Sequence, residues 1–391
     1  MFDLARKAVE GALDAGATYA DARVVVRSHE QVAARNGEIE ATVKEEDAGI
    51  GVRALIGSSW GFAATSHLGD GEARSTGERA AAIARATGRV TGGDLVLADV
   101  ATSQTSWATP FEEDPFSVSL SEKADLLIAV TSEMHTVEGV EVATGTLQFW
   151  DTDKWFVSSQ GSEIHQHIVE SGGGMDAMAV GESETQRRSY PQSFGEYQTG
   201  GYEVIRGFDL PAHAARLAGE AVELLSADQC PSGDYDLVLE GSQLALQIHE
   251  SVGHAIELDR ILGWEAAFAG TSFLNLEELG TLRYGSELMN ITADATIPGA
   301  LGTFGFDDEG TPAQSVDIVE AGRWVGVLSG RDSAHIAGLP PGGMMRADGF
   351  ARMPMVRMTN VGLKPGDSSL EEIVSETKRG VLMEVNRSWS I

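Results

Sequence analysis

The sequence predicts an α+β fold, because its strand-like runs gather into antiparallel meanders instead of alternating strictly with helices. Two further observations support that class. The order helix, then meander, occurs twice in the N-terminal half, which suggests an internal duplication. In addition, 391 residues exceed what one compact core usually takes, so two domains are expected, at 1–228 and 229–391.

Residues 3–15 carry a modest amphipathic stripe and read as a helix. Strand-like runs follow at 20–28, 31–36, 38–44, 49–56 and 59–65, with turn signals at Asn36-Gly37 and Gly57-Ser58. An Ala-rich helix is expected over 73–86, then a connecting stretch of Gly, Thr, Ser and Pro at 90–118. A helix at 120–135 opens the second unit, whose strands are expected at 139–149, 153–159, 162–170 and 173–181. Residues 182–207 are polar and Gly-rich, and a helix at 209–226 closes the region. A strand at 235–239 then leads into another helix, followed by strand-like stretches at 290–297, 315–320, 323–328, 353–359 and 380–387. This second part reads as a mixed α/β domain.

Composition excludes several functions. Hydrophobic content of 42% with 22% charged residues describes a globular chain, not a disordered one. A formal net charge of −31 repels nucleic acid and suits an anionic membrane surface poorly. It favours basic peptides and serves equally as a solubility device. No window approaches the length of a membrane span, and the N-terminus lacks the apolar core of a secretory signal. One cysteine rules out an internal disulfide framework and fits a reducing compartment, so a cytoplasmic location is expected.

The chemistry concentrates at His249-Glu250-Ser251-Val252-Gly253-His254. Two neutral imidazoles suit a borderline-soft ion such as zinc, and an adjacent glutamate can take a proton from water whose pKa the ion lowers to about 7. The spacing is unusual. Histidines five apart are separated by about 140° on a regular helix and do not easily meet at one ion. Yet Leu244, Ile248, Val252 and Ile256 recur every four residues and demand a helix. A helix with one extra residue wound in, a π-type bulge eased by Gly253, reconciles the two.

The stretch from His249 to Asp259 resembles the signature of the TldD/PmbA family of metallopeptidases, in particular its catalytic TldD-type subunit. Cys230-Pro231-Ser232-Gly233-Asp234-Tyr235-Asp236 resembles the family's entry to the peptidase domain. Arg357-Met358-Thr359-Asn360, Pro365-Gly366 and Asn386-Arg387-Ser388-Trp389-Ser390-Ile391 resemble its late segments. Gly49–Arg53 and Gly61–Thr65 resemble its first domain. The resemblance implies that His249 and His254 are Zn2+ ligands, that Glu250 is the general base, and that two subunits, identical or homologous, enclose a cavity. It further implies a cysteine ligand after the Trp-Ser-Ile run, where this sequence ends, so a fragment of a longer protein is expected. Glu257, Asp259 and His335 are the other candidates for a third ligand. The function expected is a zinc-dependent peptidase of unfolded or short peptides, the alternative being a non-hydrolytic partner subunit.

Other features have plainer readings. Cys230 reads as a small buried apolar residue. His165 and His167 share a strand face and read as solvated surface without an acidic partner. Gly49-x-Gly51 and Gly172-Gly173-Gly174 read as turns, as does Pro340-Pro341-Gly342-Gly343, with a flap as its second reading. Asp307-Asp308-Glu309-Gly310 reads as a solvated turn.

Overall fold

The structure, a computed structural model, describes residues 1–88 and 95–386. Helix α1 (Phe2–Asp14) buries Ala5, Ala8, Val9 and Ala12 on one face, the i, i+3, i+4, i+7 stripe of an amphipathic helix. Strands β1 (Tyr19–Arg35) and β2 (Glu38–Ile56) form a long antiparallel hairpin, turned by Asn36 and Gly37 at φ 52° and 84°. Positive φ at both central residues is what a tight hairpin turn asks for, and Asn-Gly supplies it at little cost. The four strands expected over 20–56 are therefore two. Their polar middle sections looked like breaks, but β1 is paired on both edges, so its backbone ladder continues where its side chains are only half-buried.

After β3 (Ser59–Thr65) and α2 (Asp70–Thr87), strand β4 (Gln104–Ala108) lies inside the stretch expected to be a connector. Gln-Thr-Ser-Trp-Ala has no apolar alternation and owes its strand form to parallel pairing with a later strand. Helix α3 (Leu120–His135) starts at Ser119, whose hydroxyl accepts the Glu122 N–H at 3.1 Å. Strands β5 (Val140–Ser158) and β6 (Glu163–Val180) again fuse two expected strands each. Gly172-Gly173-Gly174 lies within β6 and not at a turn. A Cβ at Gly172 would sit 2.2 Å from the Tyr197 ring and one at Gly174 2.8 Å from Gly195, so the crossing chain leaves no room for side chains. Gly49 and Gly51 likewise lie inside β2, where a Cβ would strike Phe350.

The main sheet runs β3-β2-β1-β5-β6, and the far edge of β6 is tiled by three short strands. These are β4 on residues 163–167, β8 (Glu196–Thr199) on 170–173 and β7 (Thr185–Tyr190) on 175–180. That tiling occupies backbone groups an open edge would leave free. Short α4 (Glu203–Phe208) and α5 (Leu210–Glu223) cover the sheet beside α3, burying Leu127, Val130, Met134, Leu147, Phe149, Leu217 and Ala218.

The rest of the chain adds β9 (Asp236–Leu239), α6 (Gly241–Ile248), α7 (Leu258–Ile261), β10 (Ile291–Asp294), β11 (Ser315–Glu320) and β12 (Arg323–Trp324). It continues with α8 (Arg331–Ala337), β13 (Met345–Arg346), β14 (Met355–Val356), β15 (Asn360–Leu363), α9 (Leu370–Glu376) and β16 (Gly380–Met383). A four-stranded antiparallel sheet, β12-β11-β10-β15, backs a core of Ile256, Leu258, Ile318, Trp324 and Leu328, while β9 pairs in parallel with β16. Of the strands expected at 323–328 and 353–359, only two residues each pair as strand. The segment 387–391 lies outside the described residues.

Asp307-Asp308-Glu309 is not a solvated turn. All three are buried where this part meets the main sheet. Asp308 pairs with Arg23 at 3.0 Å and Lys154 at 2.6 Å, and Glu309 with Arg53 at 3.0 Å, Arg53 also holding Asp21. Asp307 accepts the N–H groups of Glu309, Thr311 and Met345. Such charges persist in a low-dielectric site only when paired and hydrogen-bonded. Among the described residues, no helix is long and apolar enough to cross a membrane.

Candidate metal centre

Helix α6 does not stop at Ile248. It runs on into a π-helical turn at His249–Gly253, in which the His254 N–H donates to the His249 carbonyl at 3.1 Å, five residues back. The i→i−4 pattern resumes with Ile256 N–H to Val252 O at 3.1 Å. One extra residue in the turn brings His254 around to His249. Their ring centroids are 4.7 Å apart with planes at 85°. The distortion expected from the five-residue spacing is present.

Two backbone carbonyls near the turn accept from side chains. Tyr284 donates its hydroxyl to the Ser251 carbonyl at 2.5 Å, and Ser272 donates to the Ala255 carbonyl at 2.6 Å. Gly253 is buried, and a Cβ there would lie 1.9 Å from Met358 Sδ. The absent side chain is what lets the turn sit against the core.

His249, Glu250 and His254 each offer a donor atom, and these atoms lie within 4.8 Å of one another. Two donors about 2.1 Å from one ion stand at most about 4.2 Å apart, so small side-chain rotations close the set. The donor chemistry, two imidazoles and a carboxylate, fits a divalent ion of the zinc type. Side-chain exposure falls from 49% at His249 through 35% at Glu250 to 22% at His254, which leaves the group open to solvent on one side. Burial, and after it the nearby His254, pushes the His249 imidazolium below its usual range, favouring the neutral form that binds metal. A cleft of about 350 Å³ adjoins the group, lined by Glu250, His254, Arg260, Ala269 and Phe273 among others.

Behind His254 lies a chain of charges. Glu257, fully buried, places Oε2 3.2 Å from His254 Nδ1 and 2.6 Å from Arg260 Nε. Arg260 Nη2 is also 3.1 Å from Nδ1. One ring nitrogen cannot both donate and accept. A proton on Nδ1 shared with Glu257 leaves Nε2 free to coordinate, the arrangement in which a carboxylate orients a histidine ligand. Glu265 continues the chain to Arg357, 2.8 Å away.

Of the candidate third ligands, Glu257 supports His254 from behind. Asp259 is buried, accepts the Val356 N–H at 3.3 Å, and is pushed up to about 7, first by burial and then by Asp332. Neither Asp259 nor His335 on α8 belongs to the His249–Glu250–His254 group. Cys230 is exposed, not buried: it stands in an irregular segment before β9 that the core does not cover. His165 and His167 do have acidic partners, Asp153 at 2.6 Å and Asp151 at 3.0 Å across the strand pair, and His165 stacks on Trp155. Pro340–Gly343 is tied down by Gly342 N–H to Ser329 Oγ and Gln314 Nε2 to Pro341 O, which argues for the turn over the flap. Sequence reasoning missed Arg260, Ser272, Glu265, Tyr284 and Arg357. Only Arg260 stands near enough to the motif, at helical spacing from Glu257, to have been found.

Comparison with known proteins extends these findings. Residues 232–389 match the family description "PmbA/TldA metallopeptidase C-terminal domain", and residues 20–84 match "PmbA/TldA metallopeptidase domain 1". A metalloprotease of Methanothermobacter thermautotrophicus is 30% identical over 379 residues, covering 95% of this chain and 78% of that protein. One of Methanocaldococcus jannaschii is 28% identical, covering 98% of this chain and 81% of the relative. In fold, the crystal structure of TldE from Thermococcus kodakarensis superposes with a TM-score of 0.70 at 16% identity, covering 99% of this chain and 83% of that one. With a sequence likeness that extends over nearly its whole length, the chain belongs to the TldD/PmbA family of metallopeptidases.

Proposed function

We propose that this chain is a zinc-dependent peptidase of unfolded or short peptides, with His249 and His254 as metal ligands and Glu250 as general base. The observation that carries the reading is the π-helical turn, which turns two histidines toward each other beside a carboxylate that lines a cleft. Zinc would supply a Lewis acid that polarises the scissile carbonyl and acidifies the attacking water. Glu250, as general base, would take a proton from the attacking water and pass it to the leaving amine. Glu257 holds the His254 ring through Nδ1, which leaves Nε2 as the nitrogen that would hold the metal, and Arg260 in turn fixes Glu257.

The division at 228/229 is part of the proposal, supported by the separate cores on either side of it. So is a dimer, with an identical or homologous subunit, whose active sites face an enclosed cavity. Phe268 and Phe273, 79% and 70% exposed beside the cleft, are the kind of surface such an assembly or its substrate covers. The interface should bury more than about 1,000 Å². A cytoplasmic setting accords with the single, exposed thiol.

The test uses the whole protein. Glu250→Gln should abolish peptide hydrolysis and keep the zinc content, whereas His249→Ala or His254→Ala should lose zinc. Near-normal turnover by Glu250→Gln would remove Glu250 as base. The alternative reading is a non-hydrolytic partner subunit. That reading would prevail if the wild-type protein, loaded with zinc, cleaved no unfolded peptide.

A further inference from the structure

One described cleft is larger than the one beside the histidines and differs from it in charge. About 820 Å³ of space lies between the face of β1, β5 and β6 and the loops around Phe304, Arg346 and Arg357. That is within the range of sites that enclose a ligand. Its walls carry six basic side chains, Arg23, Arg27, Lys154, Arg346, Arg352 and Arg357, against three acidic ones, Glu170, Asp308 and Asp348. In a chain of net charge −31, a cleft with a basic excess runs against the overall charge.

Most of these charges are already satisfied. Asp308 holds Arg23 and Lys154, Asp348 holds Arg27 at 3.2 Å, and Arg357 holds Glu265. Two are not. Arg346, half-buried, donates to the Met358 carbonyl and lies over the Phe304 ring at 5.8 Å, and no carboxylate pairs with it among the described residues. The Arg352 side chain has no ion pair or hydrogen bond there either. Glu170 faces the cleft without a partner, but burial pushes its carboxyl up, which weakens its opposition to a second anion. Arg346 feels Asp308 and Glu170 only across the cleft, without an ion pair, and a partly desolvated guanidinium in that state gains from a directly bonded anion.

The cleft also adjoins the metal centre. Phe268 lines it, and the next residue, Ala269, lines the small cleft with Glu250 and His254. Ala269 is bonded through its carbonyl to Arg260 at 2.7 Å, so the dividing segment is anchored to the charges behind His254. A chain lying in one cleft needs to pass only this segment to enter the other.

We infer that the larger cleft is a substrate subsite for an acidic peptide segment, in which Arg346 and Arg352 receive Asp or Glu side chains and Phe268, Phe304 and Met353 receive their apolar neighbours. This rests on the peptidase reading and adds to it a substrate class. A polyanion such as nucleic acid is excluded by the overall charge, whereas a short peptide meets mainly the local field of the cleft.

The test is fluorescence anisotropy with three labelled octapeptides: one with two Glu residues, its Gln counterpart, and the Glu peptide amidated at its C-terminus. The whole Glu250→Gln protein is the receptor, with and without zinc, and wild-type kcat/KM for the same peptides is the second readout. The Glu peptide should bind about tenfold more tightly than the Gln peptide, amidation should change nothing, and added salt should shrink the difference. The preference should fall to about unity in the Arg346→Gln/Arg352→Gln double variant. Arg352→Gln alone, at an exposed position, should cut it about threefold even if the double variant does not fold. Equal binding of the Glu and Gln peptides, or a preference that survives both substitutions, overturns the inference. Loss of the preference on amidation overturns it in favour of a C-terminal carboxylate. If the preference holds but no peptide is cleaved, the subsite stands and the peptidase reading falls.

Discussion

Gly253→Ala tests the link between core packing and the metal centre. The new methyl would be 1.9 Å from Met358 Sδ, 3.1 Å from its Cγ and 3.3 Å from its Cε. Ordinary contact needs about 3.5–4 Å, so the thioether must retreat by roughly 1.5–2 Å. It has little space to do so, because Met358 is nearly buried in the cluster that contains Val252, Trp324 and Val356. Overpacking of this kind costs about 1–3 kcal/mol, while Ala regains up to about 1 kcal/mol of helix propensity, leaving a net loss of about 1–2 kcal/mol. The strain falls next to His254, so zinc affinity should drop as well. Urea unfolding of the apo-protein measures the first effect and a chelator competition the second. Met358→Ala alone should cost about 2–5 kcal/mol through its cavity. In the double variant the clash is gone, so the two losses should fall short of additive by about 1–2 kcal/mol. A Gly253→Ala protein as stable as wild type, or strict additivity with Met358→Ala, would refute the close-packing argument.

Three more expectations follow from named contacts. Tyr284→Phe removes the donor to the Ser251 carbonyl and should cost about 0.5–1.5 kcal/mol, with a severalfold weaker zinc titration. Asp308→Asn leaves Arg23 and Lys154 without their shared counter-charge and should destabilise by about 3–5 kcal/mol in a denaturant titration at neutral pH. Lys154, and after it Arg23, draws the Asp308 carboxyl down to about 2 against burial, so its stabilisation is present above about pH 4 and lost as pH falls through 2. The acid limb of a melting-temperature profile should therefore flatten in the variant. Asp259 has the opposite sign: burial raises it to about 7, so its contribution is full below about pH 4 and is lost as pH rises through 7. Melting temperature should decline from pH 5 to 8, and Asp259→Asn should lessen that slope.

The difference between what was legible in the sequence and what was not is one of range. The motif helix was legible because everything it needs is local: apolar residues from Leu244 to Ile256 set the period, and a five-residue spacing cannot converge without an extra residue in the turn. The two helix-and-meander units were legible for the same reason, since strand periodicity and the Asn36-Gly37 turn act within a few residues. The failures are of the opposite kind. Asp307-Asp308-Glu309 has the local composition of a solvated turn, and only partners 285, 256 and 154 residues away make it a buried junction. β4 is a strand because β6 passes beside it, and Gly172-Gly173-Gly174 is glycine because another segment crosses it. The same limit applies to function. The motif points to a candidate metal centre from six consecutive residues, but the cleft beside it is built from β1, β5, β6 and loops up to 334 residues downstream of Arg23. What is bound next to the metal is therefore written in tertiary contacts, where a single sequence is silent and paired substitutions such as those at Arg346 and Arg352 are informative.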